Sequence, residues 1–196
     1  MKNVCVFCGS SRGVKDVYSE LALSFAQALA EENLNLIYGG ANIGLMKVLA
    51  DELLEKGGKV YGVMPGNLID REIAHNGITK MYIVDTMSER KQTMARLSDA
   101  FVILPGGVGT MDELFEMMSW NQLGLMKKPL GIFNIDGFFD HLVAFLDHAL
   151  EEKFLREEHR KNLVVEKHPV LLLKKLREFR FSDPQEWVER LKKLGF

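Results

Sequence analysis

Residues 100–104 are an unbroken apolar run that leads directly into Pro105-Gly106-Gly107-Val108-Gly109-Thr110-Met111-Asp112-Glu113. This junction restricts the fold more than any other stretch. A short apolar run without alternation is the mark of a strand buried on both faces, as in a parallel sheet covered by helices on each side. Past Glu113 the apolar residues return at helical spacing, in Leu114, Phe115, Met117, Met118 and then Leu123. Strand, glycine turn and helix start leave backbone N–H groups unobstructed at the positive end of a helix dipole, a setting that favours an anion. The turn is not a P-loop, since no Gly-Lys-Ser/Thr follows. Nor is it the dinucleotide fingerprint, since residues 107–112 lack the third glycine. Spacing alone leaves two readings open: an anion site, or a plain turn in which Thr110 caps the helix and Glu113 reaches back to it as a capping box.

The rest of the chain repeats the pattern. Strands are expected at residues 4–7, 34–38, 59–63, 80–84, 129–134 and, more weakly, 162–165. Helical periodicity occupies 17–29, 45–55, 88–97, the segment from the glycine turn to Gln122, and 138–150, with a charged, mostly helical tail. Residues 67–77 are polar and irregular, with room for a short helix over the sheet edge. This alternation predicts one α/β domain over 1–196, a Rossmann-like, doubly wound, mostly parallel sheet flanked by helices. Gly9-Ser10, Gly39-Gly40 and 105–110 all follow strands, so all three turns converge on the carboxyl edge, where such sheets bind ligands. Three glycine turns on one edge favour a ligand with phosphate and sugar, hence a nucleotide.

Arg90 and Lys91 follow the fourth strand and would begin a helix at the same crevice. A cation there opposes the helix dipole, and Arg offers a planar fork for phosphate or carboxylate. The alternative is a pair of solvated surface charges. Composition excludes other classes of partner. A net charge of −2 gives no footprint for nucleic acid or anionic membrane, and no apolar run is long enough to span a bilayer. Met1-Lys2-Asn3-Val4 runs straight into a strand without a signal peptide, so a cytoplasmic protein is expected. Cys5 and Cys8 lie three apart within a strand and face opposite sides, which suits buried thiols and not a redox or metal pair. The five histidines show no metal-ligand spacing.

These motifs together resemble the LOG family, the cytokinin-activating phosphoribohydrolases often mislabelled lysine decarboxylases. Residues 105–113 match its PGGxGTxxE motif. The Cys-Gly-Ser-Ser opening, Gly39-Gly40-Ala41-Asn42-Ile43-Gly44-Leu45-Met46 and Met87-Ser88-Glu89-Arg90-Lys91 extend the likeness over nearly the whole chain. Two positions depart from the pattern: Ser88 stands where the family commonly has histidine, and Tyr38 replaces the first glycine of a triple-glycine turn. The resemblance implies hydrolysis of the N-glycosidic bond of a nucleoside 5′-monophosphate, an adenosine 5′-monophosphate with or without N6-modification, giving free base and ribose 5-phosphate without cofactor or metal. It implies Arg90 and Glu113 as the catalytic pair. Gly106, Gly107, Gly109 and Thr110 would bind the 5′-phosphate, Gly9, Ser10 and Gly40 would line the crevice, Met87 would lie against base or sugar, and Lys91 would also bind substrate. It further implies a homodimer with the helix after the glycine turn near the interface, where Met117, Met118, Trp120 and Leu123 carry a large apolar load that a buried core helix explains equally well.

Three other readings compete. A nucleotide-sensing module could use the same sheet edge without turnover, and a general purine 5′-monophosphate nucleosidase could share every motif. A lysine decarboxylase would need a Schiff-base lysine for pyridoxal phosphate, and none stands out.

Overall fold

The computed structural model describes residues 1–69 and 74–181. Seven strands form one sheet: β1 (Asn3–Phe7), β2 (Asn35–Tyr38), β3 (Val60–Pro65), β4 (Lys80–Val84), β5 (Ala100–Ile103), β6 (Leu130–Phe133) and β7 (Leu163–Glu166). All neighbours are parallel, in the order β4-β3-β2-β1-β5-β6-β7. The expectation of a mostly parallel sheet is therefore met by a fully parallel one. The antiparallel contact among the described residues is an isolated bridge, Ala41 to Ala74. The chain winds outward from β1 to β4, then returns to the other side of β1 as β5. Connections leave β1 and β5 in opposite directions, which opens a crevice above their carboxyl ends.

Helices cover both faces. α1 (Val17–Glu31), α2 (Gly44–Glu55) and α7 (Pro169–Glu178) share one core with Val4, Val6 and Leu36. α3 (Met87–Leu97), α4 (Val108–Gln122) and α5 (Asp140–Glu151) share the other with Cys5, Phe7 and Ile37, while α6 (Glu157–Lys161) is a short surface turn. Strand alternation thus sends Cys5 and Cys8 into opposite cores, both as free thiols. The apolar load of α4 goes largely inward: Met117 is fully buried, and Met118 and Trp120 pack against the core, whereas Leu123 is exposed.

Boundaries moved by one or two residues, as helix ends do. The segment expected to be irregular opens in a 3₁₀ turn, Gly66–Leu68; its residues 70–73, and with them the expectation of a short helix there, lie outside the described residues, as does the charged tail from 182. No helix among the described residues is long and apolar enough to cross a membrane.

Candidate active site

The three glycine turns interlock. The Gly9 N–H donates to the Pro105 carbonyl at 2.9 Å, and the Leu45 N–H donates to the Gly9 carbonyl at 3.1 Å. Gly44, at φ +58°, lies so close to Ser10 that a β-carbon would collide with the Ser10 carbonyl group. Gly106 is equally confined, because its missing side chain makes room for the Thr110 hydroxyl. The ends of β1, β2 and β5 are thereby locked into one rim.

Helix α4 begins at Val108 with Gly107 as N-cap, and no side chain caps it. Thr110 sits inside the first turn, buried against Gly106. The capping-box reading of Thr110 and Glu113 is therefore corrected, because the helix starts three residues too early for it. A box-like cap lies instead at the start of α3, its carboxylate reaching one residue beyond the N-cap. There the Thr86 hydroxyl accepts the Glu89 N–H at 3.1 Å, and the Glu89 carboxylate accepts the Asp85 N–H at 2.9 Å. At the other end of α3, the Lys128 ammonium donates to the carbonyls of Ala95 (2.7 Å) and Ser98 (2.6 Å). A helix with little apolar surface is thus held from both ends.

That anchoring fixes Arg90. It heads the inward stripe of α3, followed by Thr93 and Met94, and is 7% exposed. Its Nε donates to the Val63 carbonyl at 3.0 Å and its Nη2 to the Gly39 carbonyl at 3.1 Å. Both acceptors lie at the carboxyl ends of strands. They supply the polar contacts without which a buried cation would be prohibitive. Its Nη1 has no carbonyl partner and rests 3.8 Å from the Met87 sulfur. Gly39 is required for this arrangement, since a β-carbon there would occupy the position of Nη2.

Glu113 faces the same space from the second turn of α4. Burial pushes its carboxyl up to about 7, with Asp112 and Glu116 adding to the rise and Arg90 and Lys91 opposing it. No ion pair within 4 Å joins Glu113 to a cation among the described residues, so the carboxyl is poised between protonation states near neutral pH.

The cleft between them has a volume of about 300 Å³. Of the residues expected from sequence, Gly9, Ser10, Met87, Arg90, Gly107, Gly109, Thr110 and Glu113 line it. Three do not. Gly40 is turned toward Met81, Gly106 lies beneath the rim, and Lys91 is held by Asp112 and Glu116. The lining residues that sequence reading did not assign include Gly39, Met46 and Asp112. Of these three, Gly39 carried a signal, as the first glycine after a strand. The two departures from the family pattern stay clear of the cleft: Tyr38 is fully buried in the core of the α1–α2 face, and Ser88 accepts a hydrogen bond from Gln92 on the outside of α3.

Gly107 and Gly109 differ from the other rim glycines. Neither has positive φ, and a β-carbon on either meets nothing within 4 Å. The fold does not need glycine at these positions. What a side chain would fill is the space over the N-terminus of α4.

Residues 46–176 match a family model described as possible lysine decarboxylase. The chain is 42% identical over 178 residues to a probable cytokinin riboside 5′-monophosphate phosphoribohydrolase of Oryza sativa subsp. japonica, covering 91% of this chain and 73% of that protein. It is 42% identical over 178 residues to a cytokinin riboside 5′-monophosphate phosphoribohydrolase of Arabidopsis thaliana, covering 91% and 84%. Among solved structures, the molybdenum cofactor carrier protein of Chlamydomonas reinhardtii superposes with a TM-score of 0.68 at 18% identity, covering 91% of this chain and 99% of that one. The molybdenum cofactor binding protein of Rippkaea orientalis gives 0.63 at 18% identity, covering 100% and 99%. At such identities the structural likeness is one of fold.

Proposed function

The chain belongs to the LOG family of cytokinin riboside 5′-monophosphate phosphoribohydrolases, and from that membership we propose that it hydrolyses the N-glycosidic bond of an N6-modified adenosine 5′-monophosphate. Water adds to C1′ of the ribose, the C1′–N bond breaks, and the base leaves with the bonding electrons and a proton. The products are free base and ribose 5-phosphate. The observation that carries this reading is the placement of Glu113 and Arg90 in one cleft whose rim is the glycine turn of α4.

Cleavage develops positive charge on the sugar, so an ionised Glu113 beside C1′ stabilises the transition state and takes the proton of the attacking water. Arg90 stays charged throughout and is not a general acid. With two donors committed to backbone carbonyls, its remaining Nη1 edge anchors the nucleotide or stabilises the departing base. The 5′-phosphate sits over the α4 N-terminus, against the N–H groups of the glycine turn and the Thr110 hydroxyl. Gly9, Ser10 and Met87 supply walls. No lysine among the described residues lines the cleft, so it offers no amine for the Schiff base that amino-acid decarboxylation uses.

The test is to offer the purified protein AMP, N6-isopentenyl-AMP and the matching nucleosides, and to quantify base and ribose 5-phosphate. Release from monophosphates and not from nucleosides supports the reading, and the ratio of the two rates ranks the bases. Nucleotides that bind but stay intact would replace the enzyme by a sensing module.

Gly109→Ala separates folding from phosphate binding. In the first turn of α4 an added methyl meets no neighbour, so urea unfolding is expected to show equal stability or a gain of about 0.5 kcal/mol. The same methyl intrudes on the phosphate, so KM for the monophosphate is expected to rise at least about tenfold, the effect of losing roughly 1.4 kcal/mol of binding. Loss of stability without change in KM would move the phosphate elsewhere.

We also infer a homodimer that covers Phe115, Leu123 and Leu125, which are 39, 59 and 73% exposed along and just beyond α4. Sedimentation equilibrium should give twice the chain mass, and Leu123→Glu should shift it toward one.

A further inference from the structure

Lys91 is the neighbour of Arg90 on α3, yet it is not among the residues lining the cleft, and its side chain is only 14% exposed. Its ammonium lies 3.0 Å from an Asp112 carboxylate oxygen and 2.9 Å from one of Glu116. Those acids are four apart on α4, so both reach one point on the same helix face. They also bracket Glu113 in the chain, one residue before it and three after. The bridge therefore joins the helix that carries Arg90 to the helix that carries Glu113, one residue away from each.

We propose that Lys91 is a positioning and charge-balancing residue: its bridge to Asp112 and Glu116 sets Glu113 opposite Arg90 and neutralises two carboxylates beside a site for a phosphate dianion. Only the kinetic part of this inference rests on the phosphoribohydrolase reading; the charge balance at Glu113 does not.

Three observations support it. First, α3 and α4 pack on the sheet side by side, and α3 brings little apolar surface of its own, so a bridge between them has consequence for their spacing. Second, the lysine is held strongly. Burial works against its charge, but the bonds to Glu116 and Asp112 outweigh that and raise its affinity for the proton. Two carboxylates thus engage an ammonium that has three N–H donors. Third, Asp112 is itself a cleft residue. Uncompensated, it would repel both the ionised Glu113 and an incoming phosphate, since like charges in a partly dry site raise each other's proton affinity.

The charged and titratable groups around Glu113 are Arg90 and Lys91 from α3, Asp112 and Glu116 from its own helix, and the thiols of Cys5 and Cys8 from β1 and its end. The two thiols are pushed up by burial and remain neutral near pH 7. The electrostatic balance is thus between two cations and two anions, and Lys91 is the cation that touches both anions.

The experiment compares Lys91→Met, Lys91→Arg and the triple variant Lys91→Met/Asp112→Asn/Glu116→Gln with the parent protein. The Glu113 carboxyl is followed by ¹³C NMR titration, its signal identified by its loss in Glu113→Gln. The expected result for Lys91→Met is a midpoint displaced above about 7, an acid limb of kcat/KM displaced equally, and a KM for monophosphate raised several-fold. Lys91→Arg retains the bridge and the parent midpoint, and the triple variant returns both midpoint and KM toward the parent. A raised KM with an unmoved Glu113 midpoint, not recovered in the triple variant, would make Lys91 a direct substrate ligand and overturn the proposal. If no variant, the parent included, releases base, the hydrolase reading fails, while the NMR midpoints still decide the role of Lys91. Were Lys91→Met to fold poorly, Lys91→Gln, which also removes the charge and leaves both carboxylates, carries the same comparison.

Discussion

Glu113→Gln is expected to lose on the order of 10³-fold or more in kcat and, above pH 7, to be more stable than the parent protein. The amide keeps the size of the side chain and cannot take a proton from water or carry negative charge beside the forming oxocarbenium ion. The stability gain follows from burial. The folded protein keeps the Glu113 proton until about pH 7, whereas the unfolded chain releases it near the ordinary carboxyl value of 4.5. Below 4.5 both states hold the proton and the residue is neutral in its effect. Between 4.5 and 7 the unfolded state is progressively favoured, and above 7 the full cost is present, up to about 3 kcal/mol. The variant escapes that cost. Urea unfolding at pH 8, 6 and 4.5 should show a gap between variant and parent that is largest at pH 8 and closes on acidification. In the parent, kcat/KM should fall tenfold per unit below about pH 7, a limb distinct from the substrate phosphate, which titrates near 6. A variant that keeps its rate would remove Glu113 from the chemistry. One that is no more stable at pH 8 would mean that water reaches the carboxyl.

Arg90→Met is expected to fail in both respects together. Activity should fall by roughly 10³-fold, because the fixed cation of the cleft is gone. Stability should fall by about 2–4 kcal/mol, since the carbonyls of Val63 and Gly39 lose their donors in a buried setting. Removing the cation that lowers the proton affinity of Glu113 also moves any residual acid limb upward. Arg90→Lys should recover little. One ammonium cannot span two carbonyls from different strands and still present an edge to the ligand, which the planar guanidinium does. Rates and unfolding midpoints for the three proteins decide it. A lysine variant near parent activity would show that charge alone is what the site uses. Gly39→Ala offers an internal check, since its methyl displaces Nη2 without removing the guanidinium.

The contrast between Arg90 and Glu113 marks what could be read from the chain. Strand runs and glycine turns are local signals, so the parallel sheet, its carboxyl edge and the approach of three turns were legible. The partners of Arg90 were not, because backbone carbonyls of Val63 and Gly39 carry no residue-type signature. The capping box shows the same limit. Thr86-Met87-Ser88-Glu89 and Thr110-Met111-Asp112-Glu113 have the same spacing, and only the first caps its helix. The second loses that role because the turn after β5 lets the helix begin at Val108, which leaves Thr110 inside it. Which of two identical patterns caps a helix is settled by tertiary packing. The surroundings of Lys91 were hidden for a related reason. Its position beside Arg90 suggested a shared task, but residues adjacent on a helix point about 100° apart.

Gly107 and Gly109 bear on how such a protein can be engineered. Most glycines of the rim are demanded by the chain itself, through positive φ or a neighbour that leaves no room. These two are not, and a procedure that rewards only thermal stability would replace them early, at no visible penalty in expression or melting temperature. The product would be a sturdier protein with an obstructed anion cradle. The reverse also holds. The donors proposed for that cradle are main-chain N–H groups, which among the common substitutions only proline deletes, so the site is far more readily blocked by added bulk than stripped of its hydrogen bonds. Damage of that kind is reversible by a single residue, and a blocked variant can be restored without rebuilding the helix.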